Sequence, residues 1–110
     1  MEKKAALTAL SALGHDVRLD IFRLLVTEEP DGLVAGDIAA ALDMKANTLS
    51  ANLAILSQAG LIYGVREGRH IRYRAELSTM AGLLSFLTQD CCKGDPAVCA
   101  PLVGSFKCGN

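Results

Sequence analysis

The stretch DIAAALDMKANTLSANLAILSQAG, residues 37–60, decides the fold. Asp37 to Leu42 reads as a short helix with Ile38, Ala39 and Leu42 facing inward. Asp43 to Ala46 is a tight connection. Asn47 to Gln58 then places Leu49, Leu53 and Leu56 on one stripe of a longer helix. Gly60 stands where a helix end favours glycine. A short helix, a tight turn and a longer helix make a helix-turn-helix, whose second helix enters the major groove and reads bases from its N-terminal part. Off the apolar stripe that helix carries Asn47, Thr48, Ser50, Ala51, Asn52, Ala54 and Ser57. These are small or neutral polar groups, as close approach to base edges requires. Asn can bond adenine bidentately, and Ser can bond a base or a phosphate.

Working outward toward the carboxyl end, Leu61 to Arg66 and Arg69 to Ala75 have a period near two, joined at Glu67-Gly68. Ile71, Tyr73 and Ala75 share one face of the second run, and His70, Arg72 and Arg74 the other, giving a hairpin with an arginine-lined outer face. Residues 77–89 form a last helix with a stripe of Leu77, Met80, Leu84 and Leu87, widened by Ala81, Leu83 and Phe86. Toward the amino end, residues 2–13 read as a helix stopped by Gly14, and Asp16 can cap a second one with Val17, Ile21, Leu24 and Leu25 inside. Pro30 and Asp31-Gly32 mark a turn, and Leu33-Val34 a very short strand. The expectation is a mainly α (α+β) winged helix-turn-helix of about five helices and a two-stranded β-wing. It occupies residues 1–90, and residues 91–110 form an irregular tail holding Gly94, Pro96, Pro101, Gly104 and Gly109.

The chain has 110 residues, 51% of them apolar and 21% charged, with mean hydropathy +0.30. That excludes a disordered chain. It is also a surplus of apolar surface for so small a domain, which points to a dimer. No apolar run approaches the roughly 20 residues of a membrane span. Lys3-Lys4 before Ala5 to Gly14 faintly resembles a secretory leader. Leu7, Leu10 and Leu13, three apart, instead describe a helix that stays attached, in a cytoplasmic protein. Net charge is −1, but residues 43–74 carry Lys45, Arg66, Arg69, Arg72 and Arg74 against Asp43 and Glu67. A local basic stripe matters more than the average when the partner is a polyanion.

The run Ala12-Leu13-Gly14-His15-Asp16-Val17-Arg18-Leu19, with Ile21 and Leu24-Leu25, resembles the second-helix signature of ArsR-type winged-helix repressors. Ser50 to Ile62 resembles that family's recognition helix, with Asn52 where many members have His. Glu67-Gly68-Arg69 with Tyr73-Arg74 resembles its wing. The likeness spans roughly residues 5–90. It implies a homodimer joined through the first and last helices on double-stranded operator DNA. Lys45, Asn47, Thr48, Ser50 and Asn52 would lie toward the duplex, and Arg66, Arg69 and Arg72 along phosphates or the minor groove.

Cys91, Cys92, Cys99 and Cys108 are all in the last twenty residues. In a secreted protein they would suggest disulfides. In a reducing compartment, gathered thiols hold a soft ion. Neighbouring helical residues point about 100° apart, so Cys91 and Cys92 converge only where the helix frays. Gly94 and Pro96 can return Cys99 to them. Three sulfurs suit the pyramid of As(III) or Sb(III). Zinc prefers a closed set of four, and only Cys108 could complete one. A subgroup of the ArsR-type repressors resembles this pattern of a vicinal pair and a third cysteine, and responds to arsenite and antimonite. The resemblance thus assigns Cys91, Cys92 and Cys99 as ligands, with Cys108 optional. The rival signals are zinc, cadmium or lead through four sulfurs, or thiol oxidation. No organic cofactor, small-molecule substrate or membrane is expected. Nor is an enzyme, because residues 91–110 hold no Arg and no phosphate-cradling loop beside their thiols.

Overall fold

The computed structural model describes residues 1–89. Along the chain run α1 (Lys3–Leu13), α2 (Asp16–Thr27), β1 (Leu33–Val34), α3 (Ala35–Leu42), α4 (Ala46–Gln58), β2 (Ile62–Glu67), β3 (His70–Ala75) and α5 (Leu77–Thr88). The sheet is antiparallel with order β1-β3-β2, so the expected two-stranded wing has a third strand. Leu33 pairs with Tyr73 and Val34 with Arg72, which roots the hairpin in the body of the domain.

The core forms where the helical stripes meet the base of the hairpin. Ile21 and Leu25 from α2, Ile38 from α3, and Leu49, Leu53 and Leu56 from α4 are buried with Leu61, Ile62, Ala75 and Leu83. Each such leucine or isoleucine contributes about 1.5–3 kcal/mol by leaving water. Phe22 joins them, one position beyond the stripe expected for α2. The first helix presents Ala6, Ala9 and Ala12 inward, while Leu7 and Leu10 stay 56% and 40% exposed. In α5 only Leu83 is fully inside, and Leu77 and Leu87 face out.

Two helix ends set the geometry of the helix-turn-helix. At the end of α4, Leu61 N–H donates to Leu56 O at 3.1 Å and Gly60 N–H to Ser57 O at 3.0 Å. Gly60 has φ +77°, which a glycine adopts freely, and the pattern satisfies carbonyls the helix leaves open. At the end of α3 the same pattern recurs with Asp43 at φ 51°, Met44 N–H donating to Ala39 O at 2.9 Å. A short polar side chain tolerates this left-handed turn.

Two local expectations are corrected. The residue capping α2 is His15, which makes no side-chain cap bond, and Asp16 is already inside the first turn, where its charge suits the helix dipole. The hairpin turn is Gly68-Arg69, one residue later than Glu67-Gly68, because Glu67 still pairs with His70. Gly68 takes the positive φ of +62° that a two-residue hairpin loop asks of its first central position.

Candidate nucleic-acid interface

The amino-terminal half of α4 offers DNA an accessible polar edge. Lys45, Asn47, Thr48 and Ser50 are all exposed. The Asn47 side chain accepts the Thr48 backbone N–H at 2.9 Å, satisfying one of the donors left open at a helix start. Its amide nitrogen has no partner among the described residues. Asn52 is different. It is half-buried, its Oδ1 accepts from Arg18 at 3.3 Å, and its Nδ2 donates to Thr48 O at 2.9 Å.

The wing divides its arginines by strand parity. Residues paired across an antiparallel ladder share a face. Ile62, Gly64 and Arg66 pair with Ala75, Tyr73 and Ile71, so these six lie on one side. Near its base this side faces α3 and α4, where Tyr73 lines one cleft with Ala39, Leu49, Ser50 and Leu53. A Cβ at Gly64 would come within 2.6 Å of the Ile71 side chain, so any larger residue there would force Ile71 to shift. The opposite side carries Tyr63, Val65 and Glu67 with Arg74, Arg72 and His70. Arg66 therefore lies on the recognition-helix side and Arg69 at the tip of the turn. Both are exposed, and neither makes an ion pair among the described residues.

Arg72 and Arg74 are occupied within the protein. Arg72 pairs with Glu67 at 3.0 Å and reaches Gly32 O at 3.4 Å. Arg74 donates from Nη2 and Nε to Glu29 at 2.7 and 3.0 Å, and stands 5.8 Å from the Tyr63 ring centre. The hydrogen bond to Glu29 raises the Arg74 pKa above its already high value, with burial opposing. Arg74 and Glu29 thus brace the wing against the turn after α2. Sequence reasoning missed Glu29, Tyr63 and Arg18. The face of Arg66 could have been found from the hairpin register once the turn was placed correctly.

Cys91, Cys92, Cys99 and Cys108 lie outside the described residues, as does the expected tail of residues 91–110. Among the described residues no cluster of His, Cys, Asp and Glu could hold a metal ion. Nor is any described helix long and apolar enough to cross a membrane.

A helix-turn-helix joined to a rooted hairpin, with polar residues on the second helix and basic residues on the hairpin, defines a winged helix-turn-helix DNA-binding protein. A family model described as a helix-turn-helix domain matches residues 13–65. The chain is 35% identical over 89 residues to the biofilm growth-associated repressor of Agrobacterium fabrum (strain C58), covering 79% of this chain and 74% of that protein. An ArsR-like transcriptional regulator from Rhodococcus sp. RHA1 shares the fold, with TM-score 0.71, 23% identity and coverage of 96% of this chain and 95% of that one. The homodimeric winged helix-turn-helix domain of Mb0332 from Mycobacterium bovis, a possible ArsR-family regulator, superposes with TM-score 0.63 and 26% identity, over 84% of this chain and 85% of that one. The AntR antimony-specific transcriptional repressor superposes with TM-score 0.59 and 28% identity, over 74% of this chain and 72% of that one. The chain belongs to the ArsR family of winged helix-turn-helix transcriptional repressors. These relatives regulate transcription and are not enzymes.

Proposed function

We propose that this chain is a cytoplasmic, homodimeric repressor released from operator DNA when As(III) or Sb(III) binds the thiolates of Cys91, Cys92 and Cys99. The observation that carries the reading is the gathering of all four cysteines in the last twenty residues, with a vicinal pair and a third thiol a short loop away. Soft thiolates match a soft ion. The similarity to an antimony-specific repressor supports Sb(III) as the kind of inducer. Cys108 is an optional fourth ligand; a four-sulfur site would favour zinc instead.

Dimerisation through α1 and α5 is supported by the outward leucines Leu7, Leu10, Leu77 and Leu87, and by the homodimeric state of the Mb0332 domain. The operator is then a pseudo-palindrome with half-sites about 34–36 Å apart. Lys45, Asn47, Thr48 and Ser50 approach the major groove, and Arg66 and Arg69 contact the backbone or minor groove. Coupling of only ~1.4 kcal/mol between ion and operator lowers DNA affinity tenfold.

The test is operator release titrated with arsenite, antimonite, zinc and cadmium, on the wild type and on Cys91→Ser, Cys92→Ser, Cys99→Ser and Cys108→Ser. Loss of the arsenite response in the first three, with Cys108→Ser retaining it, is expected. Normal release in any of the first three overturns the trio. A response to zinc that needs Cys108 replaces it with a four-sulfur site.

A further inference from the structure

We infer that Arg18 is a positioning residue for DNA binding, locking the recognition helix to the carboxyl end of α1, and that Asn52 receives this lock rather than reading bases. The inference rests on the operator-binding dimer proposed above. Arg18 lies in the first turn of α2. Its Nε donates to Ala12 O at 2.7 Å and its Nη2 lies 3.5 Å from Ser11 O. Its Nη1 donates to Asn52 Oδ1 at 3.3 Å, across 34 residues of chain.

Each end of this bridge has a physical reason. Gly14 N–H takes the Leu10 carbonyl, so Ser11 and Ala12 are left among the last carbonyls of α1 without a helical donor. That end of the helix is also the negative end of its dipole, where a cation is favoured. At the other end, Asn52 uses its oxygen on Arg18 and its nitrogen on Thr48 O. A bidentate contact with adenine needs an N–H and a lone pair of the same amide, and Asn52 would have to offer its remaining ones while half-buried and held in place by Arg18 and Thr48. Asn47, Thr48 and Ser50, by contrast, are exposed.

The bridge joins the two surfaces on which a dimeric DNA reader depends. The first helix carries the outward Leu7 and Leu10, and α4 carries the DNA-facing edge. Where α1 meets the core it presents Ala6, Ala9 and Ala12. Apolar burial there is non-directional. The guanidinium adds directional bonds from one rigid plane to both helices. In a dimer joined through α1, the angle between α1 and α4 sets the distance between the two recognition helices, and so the spacing of half-sites that both can occupy.

The experiment uses the full chain and an operator duplex obtained by in vitro selection with the wild type. Affinities of Arg18→Ala, Arg18→Lys, Asn52→Ala and the Arg18→Ala/Asn52→Ala pair are measured over a salt series. The duplexes include single-base variants and spacers altered by one base pair. Each single variant is expected to lose about tenfold, and the double variant no more than the worse single, as for residues acting through one contact. Arg18→Lys keeps the charge without the fork, and matches Arg18→Ala. Discrimination between spacers flattens, while the preference at each base position and the salt slope stay as in the wild type. The inference is overturned if Asn52→Ala relaxes one base position. It is overturned equally if Arg18→Ala lowers the salt slope by about one, the mark of a lost phosphate contact, or if losses add and spacer discrimination is intact. If the wild type selects no sequence at all, the operator-binding reading falls along with it. Any of the preceding failures after successful selection overturns the inference alone.

Discussion

The two faces of the hairpin carry the same residue type in unlike surroundings. On the recognition-helix side, Arg66 sits opposite Ile71 and makes no ion pair among the described residues, and Arg69 stands in the turn. On the far side, Arg72 and Arg74 each hold a glutamate, at 3.0 and 2.7 Å. Arg72 already gives its Nε to both Glu67 oxygens and its Nη1 to Gly32 O, so a phosphate would have to share a guanidinium that a carboxylate holds. The net positive charge of residues 43–74 therefore overstates the DNA-facing charge. On the proposed reading, strand parity and the sign of the nearest neighbour separate the guanidinium groups that serve the duplex from those that serve the fold.

The largest test of this contrast is the double substitution Arg66→Ala/Arg69→Ala. Removing two phosphate contacts should lower operator affinity by roughly 30- to 100-fold and reduce the slope of log affinity against log salt by about two. Thermal stability should stay within about 0.5 kcal/mol, as for exposed surface positions. Arg72→Ala should change affinity less than about threefold under the same conditions. Fluorescence anisotropy over a salt series reads both quantities. Equal slopes for Arg66→Ala and Arg72→Ala would erase the distinction between the faces.

The complementary substitution is Glu29→Ala, which attacks the brace and leaves the DNA-facing side intact. Glu29 is only 14% exposed and Arg74 33%, so the guanidinium would lose its partner in a half-buried place. Stability should fall, because the brace between the wing and the turn after α2 is lost and the Arg74 charge gives up its partner. Calorimetry should show the drop. Operator affinity at temperatures where the variant is folded should keep the wild-type salt slope. A lowered slope with unchanged melting would place Arg74 on the DNA.

Local signals made the helix-turn-helix legible. Leu49, Leu53 and Leu56 fixed the buried stripe of α4, and Gly60 marked its end, because periodicity and a left-handed cap act over a few residues. Leu33-Val34 was legible as a strand, yet its pairing with β3 was not, because registry with a segment about forty residues away has no local trace. A slip of one residue at Gly68 left the faces of β2 unassigned against those of β3. Arg18 with Asn52 and Glu29 with Arg74 join residues 34 and 45 apart. Such pairs look like ordinary surface charges until the chain is folded. The cysteine cluster is legible as composition and spacing, which is why its role rests on chemistry and similarity.

Glu67→Gln probes the contrast with the smallest expected effect and from the opposite direction. The carboxylate holds Arg72 at 3.0 Å on an exposed hairpin, where side chains of the pair are 34% and 46% accessible. Exposed ion pairs of this kind contribute about 0–1 kcal/mol, so stability should hardly move. Electrostatics near the duplex should move in the favourable direction. One negative charge leaves the wing, and Arg72 becomes able to turn toward a phosphate. Operator affinity and affinity for unrelated DNA should both rise by about two- to threefold, with the salt slope steeper by up to about one, because the gain is a counterion effect without sequence content. A gain confined to the operator would mean that Glu67 restrains a base contact, and a loss would mean that the Glu67–Arg72 pair shapes the turn that carries Arg69.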